Sequence, residues 1–169
     1  AALNTKPLSN TILTGLLRPM LDSINMVNAP VIAKERDIAV SETRHEREGD
    51  YHTMIRLTVA SDKGILRLAG SLFNARARLV AIDDVVLEAE LAPLMLFIRN
   101  TDKPGFVGRL GSALGAAQIN IANFTLGRSA PGRDATCLVA LDQEIPIGLQ
   151  DVIKALPGVV SIHLLRFGG

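Results

Sequence analysis

At 169 residues, with 48% apolar side chains, the chain can bury a full core as one domain or as two small ones. Aromatics make up only 4%, Trp is absent and the formal net charge is +1, so it carries neither the stacking platform nor the basic footprint of a nucleic-acid or acidic-lipid binder. With one cysteine there is no intrachain disulfide, and no apolar run approaches the roughly 20 residues of a membrane helix.

Ser9 or Asn10 is placed to cap a first helix through Ile12, Leu13, Leu16, Leu17, Met20 and Leu21, an i, i+3, i+4 stripe that buries one face. Pro19 falls inside the stripe and should kink or break it. Asn28 can cap a second short helix, with Pro30 in its first turn and Lys34-Glu35-Arg36 at its end. From Ile38 and Val40 the apolar period becomes two, and it resumes at Met54 or Ile55, Leu57 and Val59 as in half-buried strands. Arg44 to Asp50 is charged, contains Gly49, and reads as an exposed connection. Asp62-Lys63-Gly64 signals a hairpin, and Asn74 to Arg78 a second turn before Leu79 to Ile82 and Val85 to Leu87. Helices followed by a meander make up this first half.

After Leu91-Ala92-Pro93 the pattern starts afresh. Leu94 to Ile98 suits a buried strand, and a helix is expected from Phe106 to Ala117, although Gly108, Gly111 and Gly115 each cost it about 1 kcal/mol relative to Ala. Close packing on a sheet or a partner would justify those glycines. Ile119 to Leu126 alternates as a strand, Ser129 to Asp134 turns, and Ala135 to Leu141 forms a buried strand that holds Cys137 without a nearby base. A second helix is expected from Pro146 through Leu156, and Val159 to Leu165 ends the series. The order β-α-β-β-α-β predicts a ferredoxin-like unit with an antiparallel sheet and both helices on one face.

The connection Asn100-Thr101-Asp102-Lys103-Pro104-Gly105 leads from strand to helix. Pro104 lacks a donor where an opening helix needs none, Gly105 permits close backbone approach, and the amides that follow can receive an anion. Asn100 and Asp102 can hold the cationic end of the same small zwitterion; by residue type they also fit a turn or helix cap. Arg76 and Arg78 suggest a second anion site on the first half, with a solvated hairpin as the competing reading because Glu88 and Glu90 follow. His45, His52 and His163 have no metal-ligand spacing, and neither a metal nor a catalytic residue is expected.

With Asn100-x-Asp102-x-Pro104-Gly105 and Asn120-Ile121 opening the next strand, the second half, residues 92–169, resembles an ACT domain, the amino-acid-sensing module of biosynthetic enzymes. Residues 1–91, through Val27-Asn28-Ala29-Pro30-Val31-Ile32-Ala33-Lys34-Glu35-Arg36 and Leu68-Ala69-Gly70-Ser71-Leu72-Phe73, are similar to the allosteric substrate-binding α/β domain preceding that module in long-form D-3-phosphoglycerate dehydrogenases. The fold class implied is α+β. In that family both domains follow catalytic and NAD-binding domains, of which no Gly-x-Gly-x-x-Gly is visible here, so the resemblance implies a regulatory fragment of a cytoplasmic enzyme with no activity or cofactor of its own. Opening on Ala rather than Met fits such a fragment. The resemblance further implies L-serine as effector, bound between ACT domains of a homodimer or homotetramer, with no nucleic acid or membrane as partner. The residues involved would be Asn100, Asp102, Pro104, Gly105 and Phe106 of one subunit and Asn120 of the next. A structural oligomerisation module with a vestigial site, or the regulatory part of an enzyme such as a serine dehydratase, are the alternatives.

Overall fold

The computed structural model describes residues 4–43 and 53–167. The expected connection Arg44 to Asp50, with His45 and His52, lies outside the described residues. Contacts divide the chain into two compact units, residues 1–47 and 48–169.

In the first unit, helix α1 spans Lys6–Leu17. It begins before Ser9 and Asn10, which are therefore interior residues rather than caps: Pro7 already suits the first turn, and the Asn4 side-chain carbonyl accepts the Lys6 amide at 3.2 Å. Ser9 instead donates to Glu42 at 2.7 Å. At Pro19 the helix gives way to a 3-10 turn, Arg18–Met20, as the proline predicts. Helix α2 spans Ala29–Glu35. Asn28 does precede it, but its side chain turns back to accept the Asn25 amide at 2.8 Å and to donate to the Ser23 carbonyl at 3.0 Å, so it shapes the approach to α2 rather than capping its first turn. Ala29 and Ala33 are fully buried against Leu13, Leu17 and Ile24, and their small side chains let the two helices approach closely.

Ile38 and Val40 form no strand. Asp37 adopts a left-handed conformation (φ 55°), its amide bonds to the Lys34 carbonyl, and the Ile38 amide reaches back to Ala33 at 2.9 Å. That is a Schellman end, which folds Ile38 onto the helices as the accompanying apolar contact.

The second unit opens with an antiparallel meander: β1 (Met54–Ser61), β2 (Gly64–Phe73), β3 (Arg76–Ile82) and β4 (Val85–Glu90), in that spatial order. The Asp62-Lys63 hairpin forms as read. The next turn is tighter than expected. Only Asn74 and Ala75 make it, both with positive φ, which places Arg76 and Arg78 in β3.

A second sheet contains β5 (Leu94–Thr101), β6 (Ile121–Arg128), β7 (Asp134–Leu141) and β8 (Val159–Arg166) in the order β6-β7-β5-β8, every neighbouring pair antiparallel. Helix α3 (Phe106–Ala116) joins β5 to β6, and α4 (Leu149–Lys154) joins β7 to β8, giving the ferredoxin-like arrangement. Several boundaries differ from expectation: β5 runs on to Thr101, β6 to Arg128, and α4 stops at Lys154. Gly148, at φ 86°, delays α4 beyond Pro146, and a second Schellman end at Gln118 (φ 58°) draws Ile119 back to the Leu114 carbonyl, so β6 begins at Ile121.

The strand alternation of this sheet serves two cores. Leu96, Ile98, Cys137, Val139 and Leu141 pack under Phe106, Leu110 and Leu114 of α3 and Leu149 and Ile153 of α4. Met95, Leu138 and Ala140 face the other way, against Ile82, Val85, Leu87 and Ala89 of the meander. Burial on both faces explains why β7 reads as an unbroken apolar run. Gly127 is required where the layers meet, because a Cβ there would lie 2.6 Å from the Val86 carbonyl oxygen. The glycines of α3 are different: a Cβ at Gly108, Gly111 or Gly115 meets nothing within 4 Å, so packing inside this chain does not account for them.

Candidate functional site

Register brings the site together at one end of the second sheet. Asn100 of β5 and Arg128 of β6 both pair with Ala135 of β7, so the three side chains share the helix-covered face and only a small residue separates the two polar ones. A cleft of about 440 Å³ opens there, lined by Asn100, Asp102 to Val107, Leu126, Arg128 and Gly132.

Asn100 is 2% exposed. Its amide donates to the Thr101 carbonyl at 3.0 Å, which fixes the orientation of the group, and its Oδ1 is buried with no hydrogen-bond partner among the described residues. An acceptor buried without a partner carries a desolvation cost. Thr101 is anchored to the Gly158 carbonyl at 2.8 Å, and the Asp102 amide to the Arg133 carbonyl at 2.8 Å, so the loop is held at both sides before its side chains act.

Asp102 Oδ2 accepts from Arg128 Nη1 at 2.8 Å and from the Gly132 amide at 3.1 Å. The Arg128 hydrogen bond, followed by that of Gly132, holds the Asp102 carboxyl below the usual carboxylate range. Beyond Asp102, Gly105 takes φ 85° immediately before α3, a conformation that would strain any other residue. A Cβ at Gly105 would also lie 2.6 Å from Arg109 Nη1. The opening of α3 lines the cleft through Gly105, Phe106 and Val107, and the Phe106 amide already donates to the Lys103 carbonyl at 3.4 Å. Phe106 is buried and closes the cleft floor onto the core, while Val107 and Leu126 leave an apolar rim.

Five of the residues singled out by sequence, Asn100, Asp102, Pro104, Gly105 and Phe106, therefore meet in one cleft. Asn120 does not join them. It precedes β6 at the opposite end of the sheet, where its amide donates to Asp142. Arg76 and Arg78 are both turned to Glu90, at 3.3 and 3.6 Å, and the Arg78 guanidinium lies over the Phe73 ring at 5.8 Å. The residue that sequence reasoning missed is Arg128. The signal was available in the strand order, since β6 must run parallel to β5 two positions away and end beside the loop.

No group of three or more His, Cys, Asp and Glu among the described residues is arranged to hold a metal ion. Burial pushes the Cys137 thiol up to about 12, so it is a core residue rather than a nucleophile. No helix among the described residues is long and apolar enough to cross a membrane.

Comparison with known proteins gives two family matches, the D-3-phosphoglycerate dehydrogenase intervening domain over residues 1–83 and the ACT domain over residues 94–158. Similar proteins include the D-3-phosphoglycerate dehydrogenase of Methanocaldococcus jannaschii, 33% identical over 96% of this chain and 31% of that protein. The enzyme of the same name from a Synechocystis species is 34% identical over 96% of this chain and 30% of its own length, and that of Bacillus subtilis 29% identical over 98% and 32%. The chain thus spans about a third of the length of the curated relatives it matches.

Proposed function

We propose that this chain, whose residues 1–83 match the D-3-phosphoglycerate dehydrogenase intervening domain and residues 94–158 the ACT domain, senses L-serine for feedback control of an NAD-dependent phosphoglycerate dehydrogenase. The observation that carries the reading is the cleft itself, which gathers Asn100, whose Oδ1 is buried without a partner, the Asp102 carboxylate and the opening of α3. In this reading Asn100 accepts from the amino group or hydroxyl, Asp102 balances the ammonium, and the amides after Gly105 take the carboxylate. The catalytic and NAD-binding domains belong to other parts of a longer cytoplasmic protein, and the division of this region at residues 91 and 92 follows the same scheme.

Size argues for a closed site. Serine has about seven heavy atoms and gains at most roughly 1.5 kcal/mol from each. Micromolar binding takes about 8 kcal/mol, so nearly every polar atom must be paired. A second subunit closing over the cleft, and presenting its own Asn120, supplies the missing wall. The α3 glycines, where an added Cβ would meet nothing within 4 Å among the described residues, support such a contact.

Regulation requires that the ligand bind two subunit arrangements unequally, since equal affinity shifts nothing. Titration calorimetry with L-serine, paired with sedimentation in its presence and absence, tests the proposal. Heat that saturates and a shift in assembly are expected. An assembly indifferent to serine, with no heat, would instead support the second reading, a structural oligomerisation module, which the same glycine face also favours.

A further inference from the structure

Arg128 has no role in the reading above, yet among the described residues it is the cation whose side chain both lines the cleft and touches Asp102. It sits at the last position of β6, and the strand register puts it over Ala135, directly across from Asn100. Only Nη1 is bonded to Asp102, so the remaining guanidinium donors are left for another acceptor. Asp102 in turn uses Oδ2 for both Arg128 and the Gly132 amide. Within this cleft a cation and an anion are in contact, and Asn100, whose Oδ1 is buried without a partner, lines the same cleft.

An α-amino acid offers the complementary set: an ammonium for Asp102 and Asn100, and a carboxylate one bond further along. A planar guanidinium suits a carboxylate better than an ammonium side chain does, because it can present two parallel N–H groups. We propose that Arg128 anchors the ligand's carboxylate alongside the amides after Gly105, held in place by Asp102 and shared with the ligand when the ligand's ammonium joins Asp102 and Asn100. One ion pair inside the chain then becomes a ring of alternating charges that includes the ligand. Both ends of the zwitterion are recognised by a single subunit, and the neighbouring subunit contributes closure.

This inference rests on amino-acid binding at the cleft, and the test separates the two. Calorimetry on this chain and on Arg128→Gln uses L-serine and L-serinamide, which keeps the ammonium and hydroxyl but lacks the carboxylate. The wild-type chain should prefer L-serine, and Arg128→Gln should lose roughly ten- to a hundredfold in L-serine affinity while L-serinamide changes little. Arg128→Lys should recover part of the preference through charge alone. A general loosening of the loop would weaken both ligands together and would overturn the assignment, as would an Arg128→Gln chain that still prefers L-serine. If the wild-type chain binds neither ligand, the serine-sensing reading itself fails.

Discussion

At the scale of single residues the site depends on how two side chains are already engaged. Asp102 is held by Arg128 and the Gly132 amide, so its folded pKa lies below the ordinary carboxylate value. For a depressed carboxyl, the associated stabilisation is present above the unfolded pKa and is lost as pH falls through the folded one. Carbon-detected NMR titration should place the Asp102 midpoint below the ordinary aspartate value. In Arg128→Gln the midpoint should rise toward that ordinary value, because the largest cause of the depression has gone; an unchanged midpoint would mean that the ion pair does not form in solution. Asn100 and Asp102 were legible in the sequence because a strand-to-helix loop fixes which side chains stand at its start. Arg128 was not. It enters through strand order and register, a relation between residues 26 positions apart that no local pattern expresses.

At the scale of elements, glycines divide by what surrounds them. Gly127 lies against the Val86 carbonyl, a backbone atom that cannot swing aside. Gly127→Ala should therefore destabilise by about 1–3 kcal/mol in denaturant unfolding, through separation of β4 from β6. Gly111→Ala meets nothing within 4 Å and should stabilise an isolated chain by up to about 1 kcal/mol through helix propensity. If α3 packs on a second subunit, the same change should weaken association in sedimentation, and the opposite signs of the two effects would mark the interface. The element boundaries show where reading the chain succeeds. Strands and helices with long apolar periods, such as β5, β7 and α3, were found by their pattern. Ile38 and Ile119 were misassigned to strands for one physical reason: each follows a left-handed residue, Asp37 or Gln118, whose hydrogen bonds return the next isoleucine to its helix. An isoleucine used this way is indistinguishable, by period alone, from the first residue of a strand.

At the scale of the whole molecule, the second unit places the cleft and a second sheet on opposite faces of one ferredoxin-like sheet. Successive residues of β6 serve both: Arg128 lines the cleft, and Gly127 touches β4. If the proposed ligand displaces β6 on binding, the meander would feel it without an intervening hinge. The proposed sensing role comes from family resemblance rather than periodicity, because the chemistry of a sensor is confined to a few loop residues while its layers look like any other antiparallel sheet. The most direct test of the sensing role is calorimetric titration of L-serine into this chain and into Asp102→Ala, with folding of both checked by circular dichroism. Saturable heat in the wild type and its loss in a folded Asp102→Ala chain is the predicted result; absence of heat in the wild type, or equal heat in both, would contradict it.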